Sequence, residues 1–333
     1  MEKTLEKSGF GKGGLDVSAI IDATLSTIQR VQKETLEEIL RDCAGAFEAA
    51  TIGTRAKPLL AIDLVAERNA ARELYRRFRG CGVLILGEES LRDENLDLTN
   101  ENRLVALLDM IDGTDLLEHG LSNWCSAVVF YYPPRREIVA AFVGLPDDGI
   151  YFATKDSCRP LKYRYRGTPH LVPVTGPSHV QSVENSALAF YGQKPTAFSS
   201  VAKNKGFLSY LETLEHKCSR HGKELKTRIY NLAGNPMAVR VIDGFSRIDA
   251  VFDLKGQAPH DIVPGAFIAH KAGASLCDLE GGPIDLAQIL QRPADPKSRI
   301  QYILSSTVEL SLELRQCLTD RAFAFDDRGR AAA

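Results

Sequence analysis

The 333-residue chain has no excess of either charge, no long apolar run, no closely paired cysteines and no internal repeat. Each absence narrows what it can be. Lysine and arginine number 41 against 43 aspartate and glutamate, a formal net charge of −2. A broad basic footprint for a nucleic-acid polymer is therefore missing, and such a polymer is not an expected partner. No stretch of about 18 apolar residues occurs. Residues 1–16 carry charges and glycines without the apolar segment of a secretory leader, so the expectation is a soluble protein with no membrane partner. The seven cysteines (Cys43, Cys81, Cys125, Cys158, Cys218, Cys277, Cys317) are scattered, odd in number and lack a Cys-x-x-Cys spacing. They suggest neither a disulfide framework nor a zinc site, and they fit a reducing cytoplasm. The remaining composition, 44% hydrophobic and 25% charged, is globular, with enough apolar content for one large core or two smaller ones.

The chemistry-bearing residues gather where apolar strands run into acids. Val83–Ser90 (VLILGEES) ends in Glu88 and Glu89; Leu104–Asp115 passes from an apolar run into Asp109, Asp112 and the Gly113-Thr114 turn. Short continuous apolar runs read as buried strands, and ligands in α/β proteins collect at the carboxyl ends of such strands. Carboxylates with a carbonyl between them are hard oxygen donors suited to magnesium. Gly113 and Thr114 can offer backbone N–H groups to a phosphate if a helix starts there. A third acid, Asp261, precedes a helical pattern that stops at Gly273. Taken alone it reads as a helix cap, as Glu88 and Glu89 read as surface charge and Asp112 as a turn residue. Three such acidic strand or helix ends together point to a carboxylate cage, which is costly without a cation.

Helical spacing covers Val17–Phe47, as one helix or two, and a second helix is expected over about Leu64–Phe78. Trp124–Tyr132 and Ile138–Leu145, around Pro133-Pro134, read as a hairpin that Ile150–Ala153 extends into a meander. Helices over Val201–His221 and Asn235–Asp243 then alternate with strands at Ile248–Phe252, Ser275–Asp278 and Tyr302–Ser305. A subdomain boundary is expected near 155, dividing the chain into 1–155 and 156–333 without a flexible linker. The basic run Arg159–Arg166 (RPLKYRYR) reads as a solvated strand edge, with an anion-binding face as the alternative.

These motifs resemble the inositol monophosphatase family, within the superfamily that includes fructose bisphosphatases and bisphosphate nucleotidases. Asp63-Leu64-Val65 resembles its D-L-V-T-x-x-D, Gly87-Glu88-Glu89 its G-E-E, and Asp109–Thr114 (DMIDGT) its D-P-I-D-G-T. His260-Asp261 resembles its W-D, and Gly273-Ala274-Ser275 with Gly281–Leu286 its glycine-rich strand and turn. The resemblance implies an α/β fold in the α+β sense: a layered α-β-α-β-α sugar-phosphatase fold of two intimately packed subdomains. It implies a Mg2+-dependent phosphomonoesterase acting on a small phosphorylated substrate, an inositol or sugar phosphate, and working as a homodimer. By position, Glu88, Asp109 and the Ile111 carbonyl would hold one ion, and Asp109, Asp112 and Asp261 a second. A third, weaker ion would lie near Glu88, with Mn2+ as a substitute metal; lithium would inhibit. Gly113 and Thr114 would contact the phosphate.

Four departures stand out. Met110 replaces the motif proline, which should loosen the turn; Leu116-Leu117 replaces Asn-Phe; His260 replaces the tryptophan. The fourth is Asn69, with Ala66 before it, at the place of the aspartate that accepts the Thr114 hydroxyl hydrogen bond. That substitution motivates a weakly active or non-catalytic relative as one alternative. A 3'(2'),5'-bisphosphate nucleotidase or sugar bisphosphatase is another, and would use Lys255 or the Arg159–Arg166 run as a second anion site. Substrate contacts are expected from Asn235, Asp253, Lys255 and the 190–200 segment. His119 and Trp124 are pocket candidates, Trp124 being the more core-like.

Overall fold

A computed structural model describes residues 15–50, 59–88, 96–165, 167–244 and 248–319. Glu89 and Arg166 lie outside them. The residues cluster into two units. One holds the described residues up to Val174 together with Ala258–Ile268 and Asp285–Ser298; the other holds Thr175–Gln257, Ala269–Ile284 and the residues from Arg299. The division expected near 155 thus falls about two strands later here, and Asp261 groups with the earlier residues.

The first unit is built on a seven-stranded sheet in chain order: Leu84–Gly87, Val105–Asp112, Cys125–Tyr132, Glu137–Leu145, Gly149–Thr154, Leu161–Arg164 and His170–Pro173. Only the first pair is parallel. The expected hairpin is present, turning through a 3-10 turn at Pro133–Arg135. Val17–Arg41 is helical, capped by Asp16, whose carboxylate accepts the Ser18 N–H at 2.8 Å. It and the helix Ala61–Arg77 bury Ile20, Ile28, Val31, Ile62, Ala70 and Leu74 against the sheet. There Phe142 stacks on Phe152 at 5.6 Å and meets Phe130 edge-on at 6.1 Å. Alternation along Val105–Asp112 sends Ala106, Leu108 and Met110 into this core. Asp109, out of phase with them, faces the other way.

Leu161–Arg164 is not an edge strand: His170–Pro173 lies outside it. Strand alternation turns Lys162 inward, where it is 4% exposed, 2.6 Å from Asp148 Oδ1 and over the Tyr151 ring at 4.6 Å. The Tyr165 hydroxyl is likewise committed, to Gln32 and the carbonyls of Leu145 and Pro146. Within the basic run Lys162 and Tyr165 are part of the sheet's packing, while Arg159 and Arg164 are exposed.

The second unit carries a five-stranded sheet in the order Arg228–Tyr230, Ala187–Phe190, Ala250–Gln257, Ile300–Ser305, Ser275–Cys277, its first three strands parallel. Leu188, Phe190, Ala250, Phe252 and Ile303 form its core with Phe207 and Leu214 of Lys205–Arg220 and Leu310 and Leu314 of Val308–Leu318. The helix expected over Val201–His221 is interrupted: Pro195–Ala202 ends first, and Asn204 caps the next helix by accepting the Phe207 N–H.

Candidate metal centre

The strand Val105–Asp112 delivers two carboxylates because its register breaks between them. Asp109 pairs with Ala127 but Asp112 with Cys125, so three steps on one strand match two on the other. Such a bulge re-aims side chains. Met110, in place of the motif proline, is buried at the bend, and its carbonyl accepts the Ser126 hydroxyl at 2.8 Å. The chain then turns at Gly113 with φ of 98°, and a Cβ there would stand 3.1 Å from the Asn123 carbonyl. A side chain would be strained twice over. The helix Thr114–Glu118 follows.

Glu88 comes from the end of the neighbouring parallel strand, and Asp261 from the first turn of Pro259–Lys271. Asp261 is inside this helix rather than capping from before it, and its Oδ2 reaches back to accept the Ala258 N–H at 3.3 Å. The result is two groups that share Asp109. Ligand atoms of Glu88, Asp109 and His260 lie within 4.8 Å of one another, as do those of Asp109, Asp112 and Asp261. All of these residues belong to the first unit.

Electrostatics show why such a group suits a cation. Asp109 is 4% exposed; burial above all, then the charges of Glu88, Asp112, Asp261 and Asp63, push its carboxyl well above the usual range. Burial, then the charges of Asp112, Asp109 and Asp261, push the Cys125 thiol up, beside Asp112 at 3.8 Å. The Glu67 carboxylate lies over Gly87, filling the space a Cβ would take. Converging hard oxygens of one charge fit a divalent cation, which offsets both the burial and the repulsion.

The residue behind Thr114 is Asp63, not Asn69. Thr114 Oγ1 lies 2.9 Å from Asp63 Oδ1 and 2.9 Å from the Ile111 carbonyl, and its single proton serves one of them at a time. Asn69 instead donates to Glu34 at 3.1 Å, in a cleft of about 550 Å³ between the Val17–Arg41 and Ala61–Arg77 helices. Helix geometry explains the correction: six residues place Asn69 about 9 Å along the axis from Asp63 and on a different face. The D-L-V match keeps its register; it is the hydrogen-bonding role that belongs to its first aspartate, Asp63, and not to the position of Asn69.

Of the expected substrate contacts, Asn235, Asp253 and Lys255 sit in the second unit. Asn235 is fully buried at the start of a short helix. Asp253 is buried with its carboxylate accepting the Lys255 N–H at 2.6 Å and the Gly256 N–H, a turn-holding role; Lys255 is exposed. Trp124 is core, and exposed His119 turns back to the Asp115 carbonyl. Sequence reasoning passed over Asp63 as Thr114's partner and His260 as a donor. The third place of Asp63 in its helix and the adjacency of His260 to Asp261 were the available signals.

Carboxylates sharing one buried aspartate, beside a Gly-Thr turn, form a candidate divalent-cation site. The chain belongs to the inositol monophosphatase family, whose model matches residues 21–311. Members of that family are metal-dependent phosphatases, and this protein is an enzyme of that class. Among solved structures, the extragenic suppressor protein SuhB of Bartonella henselae is similar at 16% identity, covering 91% of this chain and 100% of that one, with a TM-score of 0.63. The staphylococcal IMPase-II bound to inositol monophosphate is 16% identical over 90% of this chain and 92% of that, TM-score 0.58. An IMPase/NADP phosphatase complexed with NADP and Ca2+ is 14% identical over 92% and 98%, TM-score 0.63. At these identities the likeness is one of fold. Compared by sequence with curated proteins, the chain has no match.

Proposed function

We propose that the protein is a Mg2+-dependent phosphomonoesterase that hydrolyses a small phosphorylated alcohol, an inositol or sugar phosphate. The observation that carries this reading is the pair of donor groups sharing Asp109, with the Thr114–Asp63 hydrogen bond alongside. Glu88, Asp109 and the Ile111 carbonyl would hold one ion and Asp109, Asp112 and Asp261 another, with a third, weaker ion near Glu88. Divalent ions held by these residues would supply charge neutralisation for the phosphate and a lowered pKa for a bound water.

The chain's own part is proton handling and orientation. A hydroxyl donating to a carboxylate keeps its lone pairs, so Thr114 Oγ1 can accept a proton from the attacking water as its own passes to Asp63. The Gly113 and Thr114 N–H groups would contact the phosphate. Of the expected substrate contacts only the exposed Lys255 remains a proposed one; Asn235 and Asp253 are buried, and the Asp253 carboxylate holds the turn at Lys255 and Gly256. With Asp63 behind Thr114, the ground for an inactive relative based on Asn69 falls away. We also propose a homodimer in the cytoplasm; the family resemblance supports the first, and cysteines without paired spacing support the second. Among the described residues no helix is long and apolar enough to cross a membrane.

The test is phosphate release with saturating Mg2+ from a panel of inositol, sugar and nucleotide phosphates. Preference for an inositol or sugar monophosphate is expected. Preference for a bisphosphorylated nucleotide or sugar, or no release from any member, would overturn the substrate assignment.

A further inference from the structure

We infer that His260 is a nitrogen ligand of the ion position served by Glu88 and Asp109, and that it biases this position toward Mn2+ and other transition metals over Mg2+. The inference rests on reading the carboxylate cluster as a divalent-cation site and goes on to say which cation it prefers. His260 and Asp261 are consecutive residues in the first turn of Pro259–Lys271, leaving the helix about 100° apart, with their side-chain ends 3.2 Å from each other. One turn thus serves both groups: Asp261 joins Asp109 and Asp112, while His260 joins Glu88 and Asp109.

The ring is turned inward, its side chain 14% exposed, with Nε2 as the nitrogen that faces the acids. Nε2 stands 3.2 Å from Asp261 Oδ1 and 3.8 Å from Glu88 Oε1. Donors about 2.1 Å from one octahedral ion are about 3.0 Å apart when adjacent and about 4.2 Å apart when opposite. The 3.8 Å between Nε2 and Glu88 Oε1 lies between those two values, so a shift of under about 1 Å brings both onto one ion; Asp261 Oδ1 belongs to the neighbouring group and is not part of this donor set. A tryptophan in this position, as in the family motif, offers no lone pair to a metal. Mg2+ favours oxygen and gains little from imidazole, whereas the affinity of transition ions rises when nitrogen joins the donor set.

The experiment uses the full-length protein with Mn2+ as probe, read by pulsed electron paramagnetic resonance for coupling to 14N and by Mn2+ titration with Mg2+ competition. Expected is a 14N coupling in the wild-type protein that disappears in His260→Gln. Mn2+ affinity should fall about ten-fold or more in that variant while Mg2+ affinity changes by less than about three-fold. His260→Trp should behave the same way, which guards against a variant-specific folding defect. Mn2+ bound without nitrogen coupling, coupling that persists in His260→Gln, or an unchanged Mn2+ to Mg2+ preference would each overturn the assignment of His260 and leave the carboxylate site standing. Failure of the wild-type protein to bind Mn2+ at all would overturn the carboxylate site itself, and the inference with it.

Discussion

Replacing Asp63 by asparagine removes a negative charge 2.9 Å from Thr114 Oγ1 while keeping an oxygen that can accept the same hydrogen bond. Orientation of the hydroxyl survives, helped by the Ile111 carbonyl at the same distance; proton affinity does not. A general base is worth about 10²-fold to 10⁴-fold in rate, so Asp63→Asn should lower kcat by about 10²-fold or more, equivalent to about 2.7 kcal/mol of barrier. KM should change little. Because Asp63 is also one of the charges acting on Asp109, the assay must saturate Mg2+ for each variant. Thr114→Val should cost about as much as Asp63→Asn, and the double variant no more than either, as groups acting as one unit do. Asn69→Asp is the control: it should leave kcat within about two-fold and destabilise the fold by about 1 kcal/mol, since a donor to Glu34 becomes a second carboxylate. Steady-state phosphate release against pH reads all four variants. An Asp63→Asn enzyme within about three-fold of wild type, or a ten-fold change in Asn69→Asp, would refute the relay.

Asp112→Asn should reduce kcat by about 10³-fold or more at saturating Mg2+ if Asp112 holds an ion that offsets transition-state charge, as proposed; phosphate release checks it. Asp109 predicts a pH effect of definite sign. Its folded pKa is raised above the unfolded value of about 3.9, so its contribution to stability is present below that pH and is lost as pH rises through the folded value. Without metal, Tm should fall from about pH 4 toward neutrality more steeply in wild type than in Asp109→Asn, and Mg2+ should raise the wild-type Tm more at neutral pH than at about pH 5. Glu73, held down to about 2 by hydrogen bonds from Arg76 and Arg77, acts oppositely and does so in both proteins. Lys162→Met should destabilise the protein by about 1–3 kcal/mol in urea titration, the lower part of the range reflecting the 30% exposure of Asp148.

The parts of the site readable in the sequence were those where hydrophobicity itself changes along the chain. Glu88, Asp109 and Asp112 each end an apolar run, and a run that must be buried fixes where its terminal acids emerge. Asp63 and Asn69 share one helix with no such discontinuity, and a three-residue match could not tell which aspartate turned toward Thr114. His260 looked like a lost tryptophan, because a linear motif does not show that its ring nitrogen lies within 4.8 Å of Glu88 and Asp109 oxygens. Lys162 was misjudged for a related reason. A lysine in a basic run reads as exposed unless a further strand, here His170–Pro173, is known to cover its own.

The central claim is that Glu88, Asp109, Asp112 and Asp261 together form the divalent-cation site of a phosphatase. It is tested most directly by phosphate release from a small phosphomonoester, measured for wild type and Asp109→Asn after treatment with EDTA and again after Mg2+ is restored. The account predicts loss of activity in EDTA, full recovery with Mg2+ in wild type, and a rate about 10³-fold lower or less in Asp109→Asn whatever the Mg2+ concentration. Turnover that persists in EDTA, or that Asp109→Asn retains, would contradict it.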